Sequence, residues 1–377
     1  MDWRTAWSDF DGVTYLNTAS QGPLPRVAIR AAEAVLEWKR RPHLLPETAY
    51  FDLPNRIRLL LAQLIGAQPE EIALTTGAST GLAVVARGFD WQPDDEILIA
   101  RGEFPAHFAT WQPLALAGRL KVRLVEPRNR FLTAEDFFPL FNSKTKLVST
   151  SLVRFDDGTR LDASRLARAC RQHGTLLLLD ASQCAGAMAI NVAELGADFL
   201  VSSGYKWLLG PYGTGFFWAH SKWIEQMLPS PSYWMALQGA AQFHSLKMTE
   251  GRVTPGARRW DAPETGNFFN LAPMQASLEF LVQTGVETVW NHNQRLMAEL
   301  VERLPRDRCV LASPADPAQR GPFLCVAART VEKTSALYER LREANVFVSL
   351  REGALRIAPH LFNSSRDLDR LLSVLAV

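Results

Sequence analysis

Four consecutive leucines, Leu176 to Leu179, run into a single acid, Asp180. An apolar run without polar alternation reads as a strand buried on both faces, which belongs in a parallel sheet covered by helices on each side. Sheets of that kind bind ligands outside the carboxyl ends of their strands, where Asp180 stands. A carboxylate buried there is costly unless a cation meets it. Farther along, Ser203-Gly-Tyr-Lys206-Trp-Leu-Leu-Gly-Pro-Tyr-Gly-Thr-Gly215 holds Lys206 between two turn-prone segments.

The surrounding pattern agrees with a layered α/β chain. From about Pro25 to His220, strand-like and helix-like segments alternate, which predicts a mainly parallel sheet covered by helices. Strands are expected at Glu71 to Thr76, Asp95 to Ala100, Lys121 to Val125 and Lys146 to Val153. Thr175 to Leu179, Phe199 to Ser202 and Thr214 to Trp218 complete that set. Asp162 to His173 reads as a helix, capped by Asp162 and stopped at Gly174. Residues 229–267 are irregular and rich in Pro, Gly, Trp and Arg, too long a stretch for an idle loop.

Leu271 to Leu304 reads as two helices broken near Gly285. The tail alternates again: strand at Pro322 to Ala328, helix at Thr334 to Ala344, strands at Val346 to Ser349 and Ala354 to Ile357, helix at Asp367 to Leu375. The expected organisation is a large domain at 15–269 and a smaller α/β domain at 270–377, joined by residues 1–14.

Composition narrows the function. With 377 residues, 47% of them hydrophobic, the chain can build a large core. Its 41 basic and 39 acidic residues leave a net charge of +2, with no footprint for nucleic acid. Lys39-Arg-Arg41 is expected at a solvated helix end. Cys170, Cys184, Cys309 and Cys325 have neither zinc spacing nor disulfide density, so reduced, buried thiols are expected. The histidines show no metal-binding spacing, and no metal site is expected. Without a signal-like leader or an 18-residue apolar run, the expectation is a soluble, cytoplasmic protein away from membranes.

An acid and a lysine at one crevice suit pyridoxal phosphate, whose protonated ring nitrogen pairs with a carboxylate and whose aldehyde condenses with an amine. Ile72 to Leu82 reads as strand, small-residue turn and helix start, so exposed amides at Ala78 and Ser79 can take the phosphate. No Gly-Lys-Ser/Thr follows, so the turn is not a P-loop; an ordinary strand–helix connection is the alternative. Gly210 to Gly215 precedes a strand rather than a helix, which argues against a dinucleotide fingerprint. Phe104 follows a strand and can stack on a cofactor ring, or else fill the core. Arg356, amid apolar strand residues, needs a partner: a carboxylate gripped by its fork, or a structural acid such as Glu352. His360 could support it.

Asp180-Ala-Ser-Gln183, Ser203-Gly-Tyr-Lys206-Trp and Gly210-Pro-Tyr-Gly-Thr-Gly215 together resemble the class V aminotransferases of the fold-type I pyridoxal-phosphate enzymes. The resemblance runs from Tyr15-Leu-Asn-Thr-Ala19 to Arg356-Ile-Ala-Pro-His360. It implies that Asp180 pairs with the pyridine nitrogen, that Gln183 approaches the phenolic oxygen, and that Lys206 is the Schiff-base lysine. Ser203 and Tyr205 would reach the phosphate, and Arg356 would grip the substrate's α-carboxylate. The Phe104-Pro105 pair looks more like kynureninase than like the desulfurases, which use a histidine there.

The implied activity is transamination of a small α-amino acid, with Lys206 also moving the Cα proton. A β- or γ-lyase (kynureninase-like or hercynylcysteine sulfoxide lyase-like), an epimerase, or a non-catalytic cofactor-binding module are the alternatives. Cysteine desulfurase is disfavoured, because Val346 to Arg356 is short and lacks the cysteine a persulfide needs. The resemblance further implies a homodimer with shared active sites. Arg258 to Asn267, with Trp260 exposed, would lie at the interface, and Thr265 or a neighbour would cross to the partner's phosphate.

Overall fold

The computed structural model describes residues 3–228, 233–246, 251–264 and 267–377; Thr265 lies outside them. The first strand, β1 (Thr14–Tyr15), is short. The next seven are β2 (Ile72–Thr75), β3 (Glu96–Ala100), β4 (Lys121–Val125), β5 (Thr145–Ser151), β6 (Leu176–Asp180), β7 (Phe199–Ser203) and β8 (Gly215–Ala219). They form one sheet in the order β2-β8-β7-β6-β5-β3-β4. Neighbours from β4 through β7 run parallel, and β8 alone is antiparallel to both its partners. The mainly parallel sheet is therefore as expected, with strand limits within two residues of those read from sequence. Leu177, Leu178 and Leu179 are fully buried, and they are divided between two core clusters, one on each face of the sheet. Carboxyl ends of β2, β3, β5, β6 and β7 share one edge, and β8 starts there.

The helix at Ala163–Gln172 forms as predicted, with Asp162 accepting a bond from the amide of Arg165. The two helices expected around Gly285 also form: Phe268–Thr284 ends at Gly285, where φ is 80°, and Val286–Arg303 follows. Lys39 and Arg40 end the Arg26–Arg40 helix on the solvent side, with Arg41 just beyond.

Toward the carboxyl terminus come β9 (Cys309–Leu311), β10 (Leu324–Ala328), β11 (Val346–Phe347), β12 (Ser349–Arg351) and β13 (Ala354–Ile357). A four-stranded antiparallel sheet, in the order β12-β13-β10-β9, packs Leu324, Val326 and Leu355 against the helices Val331–Glu343 and Ser365–Leu375. The single strand expected at Val346 to Ser349 is two. Residues Val346 and Phe347 pair with β1 in parallel, while Ser349 turns into the four-stranded sheet. Strand β9 has no counterpart in the sequence reading, because Cys309-Val-Leu311 is too short to show periodicity.

The irregular stretch before these elements holds three short 3₁₀ turns, at Trp234–Ala236, Phe243–Ser245 and Ala257–Trp260. Here one expectation fails. Trp260 is not exposed: it is 2% accessible, donates to the carbonyl of Leu228 and packs edge-on against Phe217 at 5.6 Å. Its neighbours Arg259 and Asp261 pair with Glu225 and Arg58 of the same chain. The amphipathic indole finds its apolar surroundings within the chain's own core. No helix among the described residues is long and apolar enough to cross a membrane.

Candidate active site

The shared strand edge encloses a cavity of about 310 Å³. Asp180, at the end of β6, and Lys206, in the turn after β7, both line it and are both buried. That turn is tightly braced: Gly204 donates to Thr214, Gly210 donates to Gly204, and Gly22 donates to the carbonyl of Tyr205. A side chain on Gly22 would collide with the carbonyl of Lys206, so the lysine's backbone is clamped against the amino-terminal segment.

The cavity can hold the cofactor the sequence suggests. One Asp180 oxygen accepts from the amide of Ser182 at 2.7 Å. The other faces His107, whose Nε2 lies 3.9 Å away and has no hydrogen-bond partner among the described residues. A buried carboxylate with an oxygen to spare suits a protonated ring nitrogen. At the other end, Gly77 precedes the Ala78–Gly88 helix and leaves it without a side-chain cap. The first-turn amides of that helix open on the cavity beside Ser79, Thr80, Ser203 and Tyr205. Free amides at the positive end of a helix suit a phosphate. Ser203 Oγ also lies 3.5 Å from the amide of Ala78 and 3.4 Å from Ser182 Oγ. Bare backbone is required here, because a Cβ on Gly215 would stand 2.5 Å from the carbonyl of Ser202 and 2.7 Å from Cα of Gly77.

Phe104 lines the cavity at the start of the Pro105–Leu116 helix, its ring 5.2 Å from Lys206 Nζ and edge-on to Phe155 at 5.3 Å. Gln183 lines it too, with its amide nitrogen on the carbonyl of Ala19 at 3.2 Å and its oxygen near Trp207 Nε1. Thus Ala78, Ser79, Phe104, Asp180, Gln183, Ser203, Tyr205 and Lys206 meet in one cavity. Arg356 does not line it. It sits behind Phe155, donates to that residue's carbonyl at 3.0 Å, and keeps a buried Nε without a partner. No acid forms an ion pair with it among the described residues, so the Glu352 pairing is absent. His360, fully buried against Trp7 and Phe362, also makes no bond to Arg356; burial pulls its pKa down to about 3 and keeps it neutral.

Charge and burial compete at Lys206. Desolvation pulls its pKa from 10.5 down to about 8; Asp180 opposes this, while Arg356 and Arg351 add to it. Burial likewise lowers Arg356 to about 10. Several contributors were not read from sequence: Thr76, Ser182, Phe155, Tyr212 and, above all, His107 and Glu103. His107 is fully buried, bonded through Nδ1 to Ser149 at 2.8 Å. Glu103 accepts from Thr150 and from both the amide and hydroxyl of Ser151. Burial works to raise its pKa, but His107, Ser151 and Arg154 outweigh it and hold it below the usual range. His107 stands three residues after Phe104, one helical turn on, which was a usable signal. Among the described residues no group of His, Cys, Asp or Glu could hold a metal ion.

Comparison with known proteins completes the assignment. The chain is 27% identical to the isopenicillin N epimerase of Streptomyces clavuligerus, over 96% of this chain and 94% of that protein. It is 27% identical to a kynureninase of Xanthomonas oryzae (94% and 88% covered), and 26% identical to an uncharacterized aminotransferase of Bacillus subtilis (84% and 81%). Its fold matches a solved C-DES mutant with glycine covalently linked to its PLP cofactor, at a TM-score of 0.88 and 23% identity, covering 99% of this chain and 98% of the other. The family model for aminotransferase class-V matches residues 15–359. The chain belongs to the class-V aminotransferases, the pyridoxal-phosphate enzymes of fold type I.

Proposed function

We propose that this amino-acid-directed pyridoxal-phosphate enzyme is a transaminase. The observation that carries the reading is the single amine of the cavity. Among the described residues that line it, Lys206 is the only Lys, Arg or His, and Asp180 is the only carboxylate. Moving a proton from Cα to the neighbouring cofactor carbon on one face needs one base. A two-base epimerisation needs a second base on the opposite face; among the described lining residues the remaining candidates are the phenols of Tyr205 and Tyr212, and burial raises the pKa of Tyr205. The four thiols are buried and none lines the cavity, which weighs against desulfurase chemistry.

When bound, pyridoxal phosphate supplies an electron sink for the pair left at Cα. Asp180 holds the proton on the ring nitrogen, and the spare oxygen it presents supports that role. Ala78, Ser79, Ser203 and Tyr205 bind the phosphate, Gln183 the phenolic oxygen, and Phe104 covers the ring and excludes water. Arg356 binds the substrate's α-carboxylate, a role supported by its buried Nε, which has no partner among the described residues. Lys206, whose burial lowers its pKa to about 8, would be the base that takes the Cα proton.

The same reading includes a two-fold homodimer. Trp234 and Phe269 are 43% exposed beside a ring cluster of Trp38, Tyr50, Phe243 and Phe268, and aromatic surface of this kind suits an interface. Thr265 would then reach across from the segment that follows.

The test is a half-reaction. An amino donor alone should convert the bound cofactor to its amine form and release one 2-oxo acid per site, and a 2-oxo acid should restore the starting spectrum. Solvent deuterium entering Cα with inversion and no oxo acid would mean epimerisation. Loss of the substrate's side chain would mean a lyase.

A further inference from the structure

The four-stranded sheet has two unlike faces. Leu324, Val326, Leu350 and Leu355 face its own helices. On the opposite face, register places Arg356 directly across from Ser349 on one side and Cys325 on the other, and Arg351 opposite Ala354. Since side chains alternate, Arg351 shares the face of Ser349, two residues away, and so of Arg356. Diagonal neighbours of this kind stand roughly 7–8 Å apart at the backbone, within reach of two long side chains.

This face lies behind the cavity wall: Arg356 donates to the carbonyl of Phe155, whose residue lines the cavity, and Arg351 is its diagonal neighbour. Arg351 is half-buried, and its one hydrogen bond is to the carbonyl of Leu350 at 2.9 Å. Among the described residues it forms no ion pair. The nearby acids are otherwise engaged or turned aside. Asp156 pairs with Arg154, and Glu352 occupies a left-handed turn position at φ 43°. Asp180 faces Ser182 and His107 and forms no ion pair with either arginine. A half-buried guanidinium with one hydrogen bond and no ion pair among the described residues, beside a second arginine that also lacks an acid partner there, is suited to an anion.

We propose that Arg351 binds an acidic group at the end of the substrate's side chain, so that the enzyme acts on α-amino acids carrying a second anionic group. The proposal rests on the reading of Arg356 as the α-carboxylate site. A carboxylate, sulfinate or phosphonate would satisfy the chemistry equally, and the two arginines would then hold the substrate at both ends and fix Cα before Lys206.

Calorimetric titration of the holoenzyme with glutarate and with pentanoate, two unreactive acids of equal length, provides a readout separate from turnover. Wild-type protein should bind the diacid about 10- to 100-fold more tightly, the usual worth of a charge-assisted hydrogen-bond pair. Arg351→Gln should abolish that preference, and Arg351→Lys should restore part of it. The kcat/KM ratio for glutamate over glutamine should fall by a similar factor in Arg351→Gln. Thermal melts monitored by circular dichroism identify a variant that has not folded; Arg351→Lys then carries the comparison. Equal binding of the two acids to wild-type protein, or a preference that survives Arg351→Gln, overturns the proposal. Its failure is distinct from that of transamination: diacid preference is read without any reaction, and oxo-acid release is read without any diacid.

Discussion

Replacing Lys206 by methionine should stabilise the cofactor-free protein, although it removes a buried cation whose charge is offset by that of Asp180. Removing one of two such charges ordinarily destabilises by leaving the other uncompensated. Here the balance is already visible in the lysine. Its pKa falls from 10.5 to about 8, so burial outweighs the attraction of Asp180. At about 1.4 kcal/mol per pH unit, holding the charged lysine in the folded state costs roughly 3 kcal/mol at pH 7. Between pH 8 and 10.5 the unfolded chain binds more protons than the folded one, so stability rises with pH across that window as the cost disappears. By pH 10 the remaining cost is roughly 1 kcal/mol. Urea midpoints of cofactor-free wild type and Lys206→Met, at pH 7 and pH 10, measure this. The variant should be the more stable at pH 7, by an amount that shrinks about threefold at pH 10. A variant less stable than wild type at pH 7, or an advantage indifferent to pH, would refute the balance of burial over attraction.

Other expectations follow from the same geometry. Asp180→Ala should retain the cofactor but lose about 10²- to 10³-fold in turnover, the usual consequence of deleting one electrostatic partner; stopped-flow single turnovers measure this, and a loss under tenfold would remove Asp180 from its role. Arg356→Lys keeps a charge but loses the fork, so KM for α-amino acids should rise at least about tenfold with the resting spectrum unchanged; unaltered KM would place the α-carboxylate elsewhere. Gly215→Ala should impair cofactor binding, because the added methyl presses on Gly77 at the mouth of the phosphate cradle; equilibrium dialysis giving wild-type affinity would contradict that cradle.

Much of this molecule was legible in the sequence because its signals are local. The leucine run before Asp180 announced a doubly buried strand, and Gly77 ahead of Ala78 announced an uncapped helix start. Eight cavity residues stood within four such strand-end motifs, which the sheet topology then brought to one edge. Distant pairing was less legible. Nothing local distinguishes Val346-Phe347, which pair with Thr14-Tyr15, from Ser349 to Arg351, which join another sheet. Trp260 looked like interface because it stands beside arginines in a Pro- and Gly-containing segment, whereas its contact, Phe217, lies on a strand far back in the chain. His107 gave only its spacing from Phe104; its meaning comes from Asp180 and Ser149, on two strands distant in sequence. Arg351 gained its own only from register against Arg356.

The central claim is that Lys206 and Asp180 form the two ends of one pyridoxal-phosphate site. Borohydride reduction of the purified holoprotein, followed by peptide mass spectrometry, tests it most directly. The account predicts a yellow protein that bleaches on reduction and carries the reduced cofactor on Lys206 alone, with no label trapped in Lys206→Ala. Label on another lysine, or a colourless protein that ignores added pyridoxal phosphate, would contradict it.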